Sequence, residues 1–169
     1  KVTLQNISDQ TGTPTPFAPG AWAIHTADNA LFEAGTADRG EGLEGLAEDG
    51  GGSTLAGNLQ GKSGVTDAEA FGFGGGPLLP GASASFTVEA SPGDGGLSLA
   101  SMFVQSNDLF VAPESGGVPL FDDEGNPLES RDVTDQFAMY DAGTERNQAP
   151  GFGRDQAPRQ AEKGQGAEE

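Results

Sequence analysis

Two acidic turns, far apart in the chain, carry the residue types a hard cation needs. Ser106-Asn107-Asp108 is a polar corner inside the longest apolar-rich run, Leu97 to Phe110. Asp141-Ala142-Gly143-Thr144-Glu145 follows a second run, Val133 to Tyr140. Two buried strands that each deliver a carboxylate to a loop suggest a cation site on a β scaffold. Calcium takes roughly six to eight oxygen ligands, which a few carboxylates, backbone carbonyls and water supply. Gly143, close behind Asp141, lets the loop turn its carbonyls inward. Magnesium demands a tighter octahedron and suits such a loop pair less well. The plainer reading makes Asp108 a turn cap and Asp141 a surface acid.

Other constellations are poorer. His25 is the lone histidine and cysteine is absent, so thiolate zinc sites and disulfides are excluded, and zinc or a catalytic triad has no second histidine to draw on. His25 reads as a hydrogen-bonded structural residue and Trp22 as a core anchor. Glu48 and Asp49 are adjacent, and neighbours on a helix point in different directions, so a glycosidase pair is badly placed there; a solvated helix end is the simpler reading. Phe71-Gly-Phe-Gly-Gly-Gly76 lacks the strand before and the helix after that a dinucleotide fingerprint requires. Phe121-Asp-Asp-Glu-Gly-Asn126 misses the EF-hand spacing and reads as a charged hairpin turn. No nucleophile–base set emerges, and no enzymatic activity is expected.

The chain has 169 residues, enough for one domain with a real core. Its 26 acidic residues against 8 basic ones give a net charge of -18. That field disfavours nucleic acid and anionic lipid as partners and favours cations and basic protein surfaces; solubility in a salty habitat is the alternative. No apolar stretch approaches the ~20 residues that span a bilayer. The start at Lys1-Val-Thr-Leu, without Met, reads as a mature chain after signal-peptide removal, although a trimmed chain would look the same. The expected location is extracellular or at the cell surface.

Gly 28 and Pro 11 punctuate the chain and favour short strands over long helices. Strands are expected at 2–7, 21–26, 82–90, 97–105 and 133–140, the 82–90 and 97–105 pair forming a hairpin through Ser91–Gly96. Residues 30–64 form the helical part: Leu43, Leu46 and Ala47 make one apolar side, Gly50-Gly51-Gly52 stops that helix, and Ser53 caps a second with Leu55 and Leu59 inward. The expected architecture is a mainly β, antiparallel sandwich with one or two short helices between 40 and 60. Residues 1–146 form the domain and 147–169 a Gly/Pro/Gln-rich tail. Arg154, Arg159 and Lys163 lie in that last stretch and Arg146 directly before it, together half of the basic residues. A basic tail on an acidic protein suggests docking, onto its own domain or onto a neighbouring copy.

Several segments resemble the spondin N-terminal domain family in its prokaryotic form: Pro19 to His25, Gly42 to Gly50, Leu99 to Asp108, Asp141 to Glu145 and Asn147 to Gln160. The Ser-Met…Asp and Asp-Ala-Gly-Thr blocks are the most specific. The resemblance implies a C2-like β-sandwich with a structural calcium ion between loops at one end, no enzymatic activity, and a role in extracellular adhesion. It assigns the metal to Asp108, Asp141 and Glu145. Glu145 departs from the Asp of animal members, which puts its direct ligation in question. The family's cysteines are missing, and integrin-type recognition is not carried over.

The expectation is therefore a secreted, non-catalytic calcium-binding module of adhesion or surface assembly, with a protein partner or self-association through the tail. Alternatives are a subunit of a homopolymeric filament or sheath, and a carbohydrate-binding module, for which one Trp and one Tyr offer little stacking surface.

Overall fold

Small residues in the second strand decide how the layers stack. In the computed structural model, which describes residues 1–114, 116–164 and 166–168, β1 is Val2–Gln5 and β2 is Phe17–His25. Along β2, Ala21 and Ala23 face one side and Trp22 and Ile24 the other, the two-residue period of a strand buried on both faces. Two helices, α1 (Leu43–Asp49) and α2 (Gly52–Leu59), cover the alanine side. Their Leu43, Leu46, Ala47, Leu55 and Leu59 are buried there, so the expected apolar stripes hold.

The remaining strands are β3 (Val65–Phe71), β4 (Ser83–Phe86), β5 (Gly96–Phe103), β6 (Leu109–Pro113), β7 (Val118–Pro119) and β8 (Phe137–Asp141). One sheet has the order β3-β2-β5-β6-β8 with β7 on β5; the other is the pair β1-β4. Every pairing is antiparallel. The β1-β4 pair brings Val2, Leu4 and Phe86 onto the large sheet's Trp22, Ile24, Leu97 and Leu99. The molecule is a mainly β, antiparallel sandwich whose large sheet carries the two helices on its outer face. Burying each large apolar side chain contributes about 1.5–3 kcal/mol. Among the described residues, no helix is long and apolar enough to cross a membrane.

Four expectations need correction. The 133–140 strand begins only at Phe137, after a 3-10 turn at Thr134–Gln136, and as an edge strand β8 is not buried on both faces. The 82–90 strand does not form a hairpin with β5: β4 is shorter and pairs with β1, while β5 pairs with β2, β6 and β7. Of the alternating residues, Phe86 of β4 and Val88 and Ala90 of the segment after it pack on the Trp22 cluster. Ser53 is not the cap of α2; Gly51 stands there and Gly52 begins the helix, because the helix start lies flush on β2. A strand, β3, does precede the glycine-rich 72–76 stretch, though no helix follows it. Gly50 ends α1 in the left-handed region at φ 72°, as the triple glycine implies.

The tail is held against the body. Gly151 donates its N–H to the Gln105 carbonyl at 2.8 Å, and Gln160 donates from its side chain to Asp49 at 3.1 Å. Gln156 is fully buried. Gln165 and Glu169 of the tail lie outside the described residues.

Candidate metal centre

The site is made by strand register. β6 and β8 pair with Leu109 opposite Asp141, so the corner before β6 and the loop after β8 share one end of the sheet. Ser106 shapes that corner: its hydroxyl donates to the Phe103 carbonyl at 2.6 Å and accepts the Leu109 N–H at 3.0 Å. Asn107 donates to the Arg146 carbonyl at 2.9 Å and accepts the Gln148 N–H at 3.2 Å. The Asp108 carbonyl takes the Ala142 N–H, and its Oδ2 takes the N–H groups of Thr144 and Glu145, all at 3.1 Å. Asp108 is thus a cap, though of the distant 141–145 loop and not of its own turn.

Asp108 has 0% exposure, and its second oxygen, Oδ1, receives no N–H. In the 141–145 loop that Asp108 caps, the Thr144 hydroxyl is also buried and faces the Glu48 carboxyl. Burial raises the Asp108 carboxyl above its ordinary range; the two N–H donors oppose the rise, and the Asp141 charge and a side-chain hydrogen bond between the two carboxyls add to it. An ionised oxygen buried without a donor is costly, and a cation is one group that satisfies it.

Asp141 sits at the rim, exposed, with Oδ1 taking the Gly143 N–H at 2.8 Å. Glu145 is buried, and its carboxyl is pushed up to about 7, first by burial, then by the charge of Glu48, with Asp108 and Asp155 adding less. The Gly166 N–H supports that carboxylate, which packs so closely on Gly166 that a Cβ there would collide with it. The structure therefore gathers Asp108, Asp141 and Glu145 at one end of the sheet.

It also brings in a residue that sequence reasoning assigned to solvent. Glu48, in the last turn of α1, is 7% exposed. Burial raises its carboxyl; the Thr144 hydroxyl it faces opposes the rise, and the charges of Glu44, Asp49 and Asp108 add to it. Its helical position lies about 100° from Ala47, at the margin of the apolar stripe, so no periodicity marks it. Among the described residues, no three acidic or imidazole side chains stand in position to hold one metal ion. A cation would have to draw the carboxylates inward.

His25 lies elsewhere. It is buried, with Nδ1 2.8 Å from the Ala27 carbonyl and Nε2 2.8 Å from the Ser98 hydroxyl. Asp122 takes the N–H groups of Glu124 and Asn126, which makes 121–127 the hairpin turn its spacing implies.

No protein-family model matches this chain, and no curated protein is similar to it. Fold and site together define an acidic β-sandwich protein with a buried carboxylate cluster at one end of its main sheet.

Proposed function

We propose that this chain is a secreted, non-catalytic β-sandwich module for adhesion or surface assembly that binds calcium as a structural ion, as its resemblance to the spondin N-terminal family implies. One observation carries the reading: a fully buried Asp108 carboxyl, one oxygen of which receives no N–H, faces the Asp141 carboxyl in a cluster that also holds Glu145 and Glu48. Asp108 and Asp141 supply charged oxygens, Glu145 and Glu48 lie within electrostatic reach, and the 141–145 loop offers carbonyls, a donor set of hard oxygens. The ion would neutralise mutually repelling carboxylates and fix the 106–108 corner to the 141–148 loop, adding its binding free energy to folding. Calorimetric titration of chelator-treated protein with calcium tests it, run beside thermal melts in calcium and in EDTA. Saturable binding with a higher melting temperature is expected. Identical melts in both buffers would remove the site.

A further inference from the structure

We infer that a second copy of this chain seats its Phe152–Arg154 turn in the cavity between the 31–39 loop and β8, joining copies head to tail. The donor half is a rigid projection. Phe152 is 86% exposed and the Arg154 side chain 91%, so an aromatic ring and a guanidinium stand out together, the guanidinium Nε lying 3.3 Å from the Asp155 carboxylate of its own turn. The turn beneath them is fixed by hydrogen bonds from Gly151 to the Gln105 carbonyl and to the Gln156 side chain. Phe152 adds its own N–H to the Ala149 carbonyl at 3.0 Å. A group held in place before association loses little freedom on binding.

The acceptor half complements it in shape and charge. A cavity of about 260 Å³ opens beside β8, the edge strand of the large sheet. That is below the roughly 300 Å³ at which pockets for drug-sized ligands begin, and suits one or two inserted side chains. Phe32, Tyr140 and the half-exposed Met139 form its apolar wall, with Phe32 and Tyr140 ring centres 4.5 Å apart. Glu33, Asp38 and Asp141 bring acidic groups to the lining and outnumber its one basic residue, Arg39, whose guanidinium donates to the Asn29 carbonyl at 2.7 Å. An aromatic ring gains edge or face contacts there, and a guanidinium gains carboxylates and ring faces. The charge match is local, between the guanidinium and the cavity carboxylates, because two copies of net charge -18 repel one another overall. Donor and acceptor are different surfaces, so the contact is heterologous and propagates into rings or filaments. Asp141 is shared with the proposed cation site, but the ring pocket and the Glu33 and Asp38 carboxylates are in place without the cation.

Sedimentation velocity of the full chain, from micromolar to millimolar concentration, tests the inference. Average mass is expected to climb with concentration, and Phe152→Ala to weaken association at least about tenfold, as removal of a central aromatic anchor does. Met139→Glu, at an exposed cavity position, is expected to do the same. Mixed together, these two variants should form dimers that grow no further, because one retains a cavity and the other a turn. The chain has two methionines, so methyl NMR supplies a folding control: Met139 should shift with concentration while buried Met102 stays fixed. The series repeated in EDTA should be unchanged. A wild-type monomer throughout, association indifferent to Phe152→Ala, a mixture that behaves like either variant alone, or loss of association in EDTA would each overturn the proposal.

Discussion

Asp108 and Glu145, 37 residues apart, are tied by a 3.1 Å bond from the Glu145 backbone N–H to Asp108 Oδ2. One carboxylate therefore holds in place the loop that carries a second, although their charges repel. The donor bonds and the charge can be separated by substitution. Asp108→Ala strands the N–H groups of Thr144 and Glu145 and should cost about 2–4 kcal/mol in chemical denaturation, with or without calcium. Asp108→Asn keeps an oxygen for both donors and removes a buried charge, so its stability in EDTA should match or exceed wild type, while the calcium-dependent gain disappears. If Asn and Ala are equally damaging in EDTA, the carboxylate charge is itself stabilising and the repulsion argument fails.

Glu145 makes metal-free stability depend on pH. Its carboxyl rises from an ordinary 4.5 to about 7, chiefly through burial. Between those values the folded protein keeps a proton that the unfolded chain has released. The stability linked to this group is thus complete below about pH 4.5 and lost as pH climbs through 7. In EDTA, raising the pH from 5 to 8 should lower stability by an amount on the order of 2 kcal/mol from this residue, and Glu145→Gln should remove that component. Calcium should reverse the trend, since a cation favours the ionised form, and its apparent affinity should rise over the same interval. A Glu145→Gln pH profile identical to wild type would show that the group is not titrating there.

The sandwich was legible because period-two alternation at 82–90 and the apolar run at 97–105 reflect burial directly. The small helices were legible through Leu43, Leu46 and Ala47 before a triple glycine. The meeting of the Asp108 corner with the Asp141 loop could be suggested from turn chemistry alone, and the register of Leu109 with Asp141 realises it. Partner choice was not legible: nothing local tells β4 to pair with β1 rather than β5, because a short Gly/Pro linker permits either. Glu48 escaped for a related reason, as its burial comes from the packing of α1 over the end of the sheet and not from its own neighbours.

Two glycines in α2 should respond to alanine with opposite signs. Gly52 lies flush on β2, where a Cβ would stand 2.1 Å from the Gly20 carbonyl oxygen, a backbone atom with little freedom to yield. Gly52→Ala should therefore cost about 3 kcal/mol or more by lifting the helix off the sheet. Gly57, exposed in the same helix, has nothing within 4 Å of an added Cβ. Gly57→Ala should add about 0.5–1 kcal/mol through helix propensity. Denaturation midpoints of the two variants check this; a neutral Gly52→Ala would mean that α2 is not seated as closely as described.

The His25–Ser98 pair has the outward look of a base and its nucleophile, and its surroundings argue for a structural role. The Ala27 carbonyl can only accept, so Nδ1 carries the proton, Nε2 accepts, and the Ser98 hydroxyl donates. Both side chains are buried, at 1% and 7% exposure. Burial, opposed by the Ala27 carbonyl and Asp28, holds the imidazole below its ordinary 6.5. The unfolded chain therefore takes up the proton first as pH falls, and this residue's contribution is lost below about 6.5, the opposite direction to Glu145. Ser98→Ala, which leaves Nε2 unpaired, should cost about 1–3 kcal/mol. Nitrogen NMR should show the Nδ1–H tautomer, and a fluorophosphonate should leave Ser98 unlabelled under native conditions. Labelling of Ser98 in the folded protein would reopen the question of catalysis.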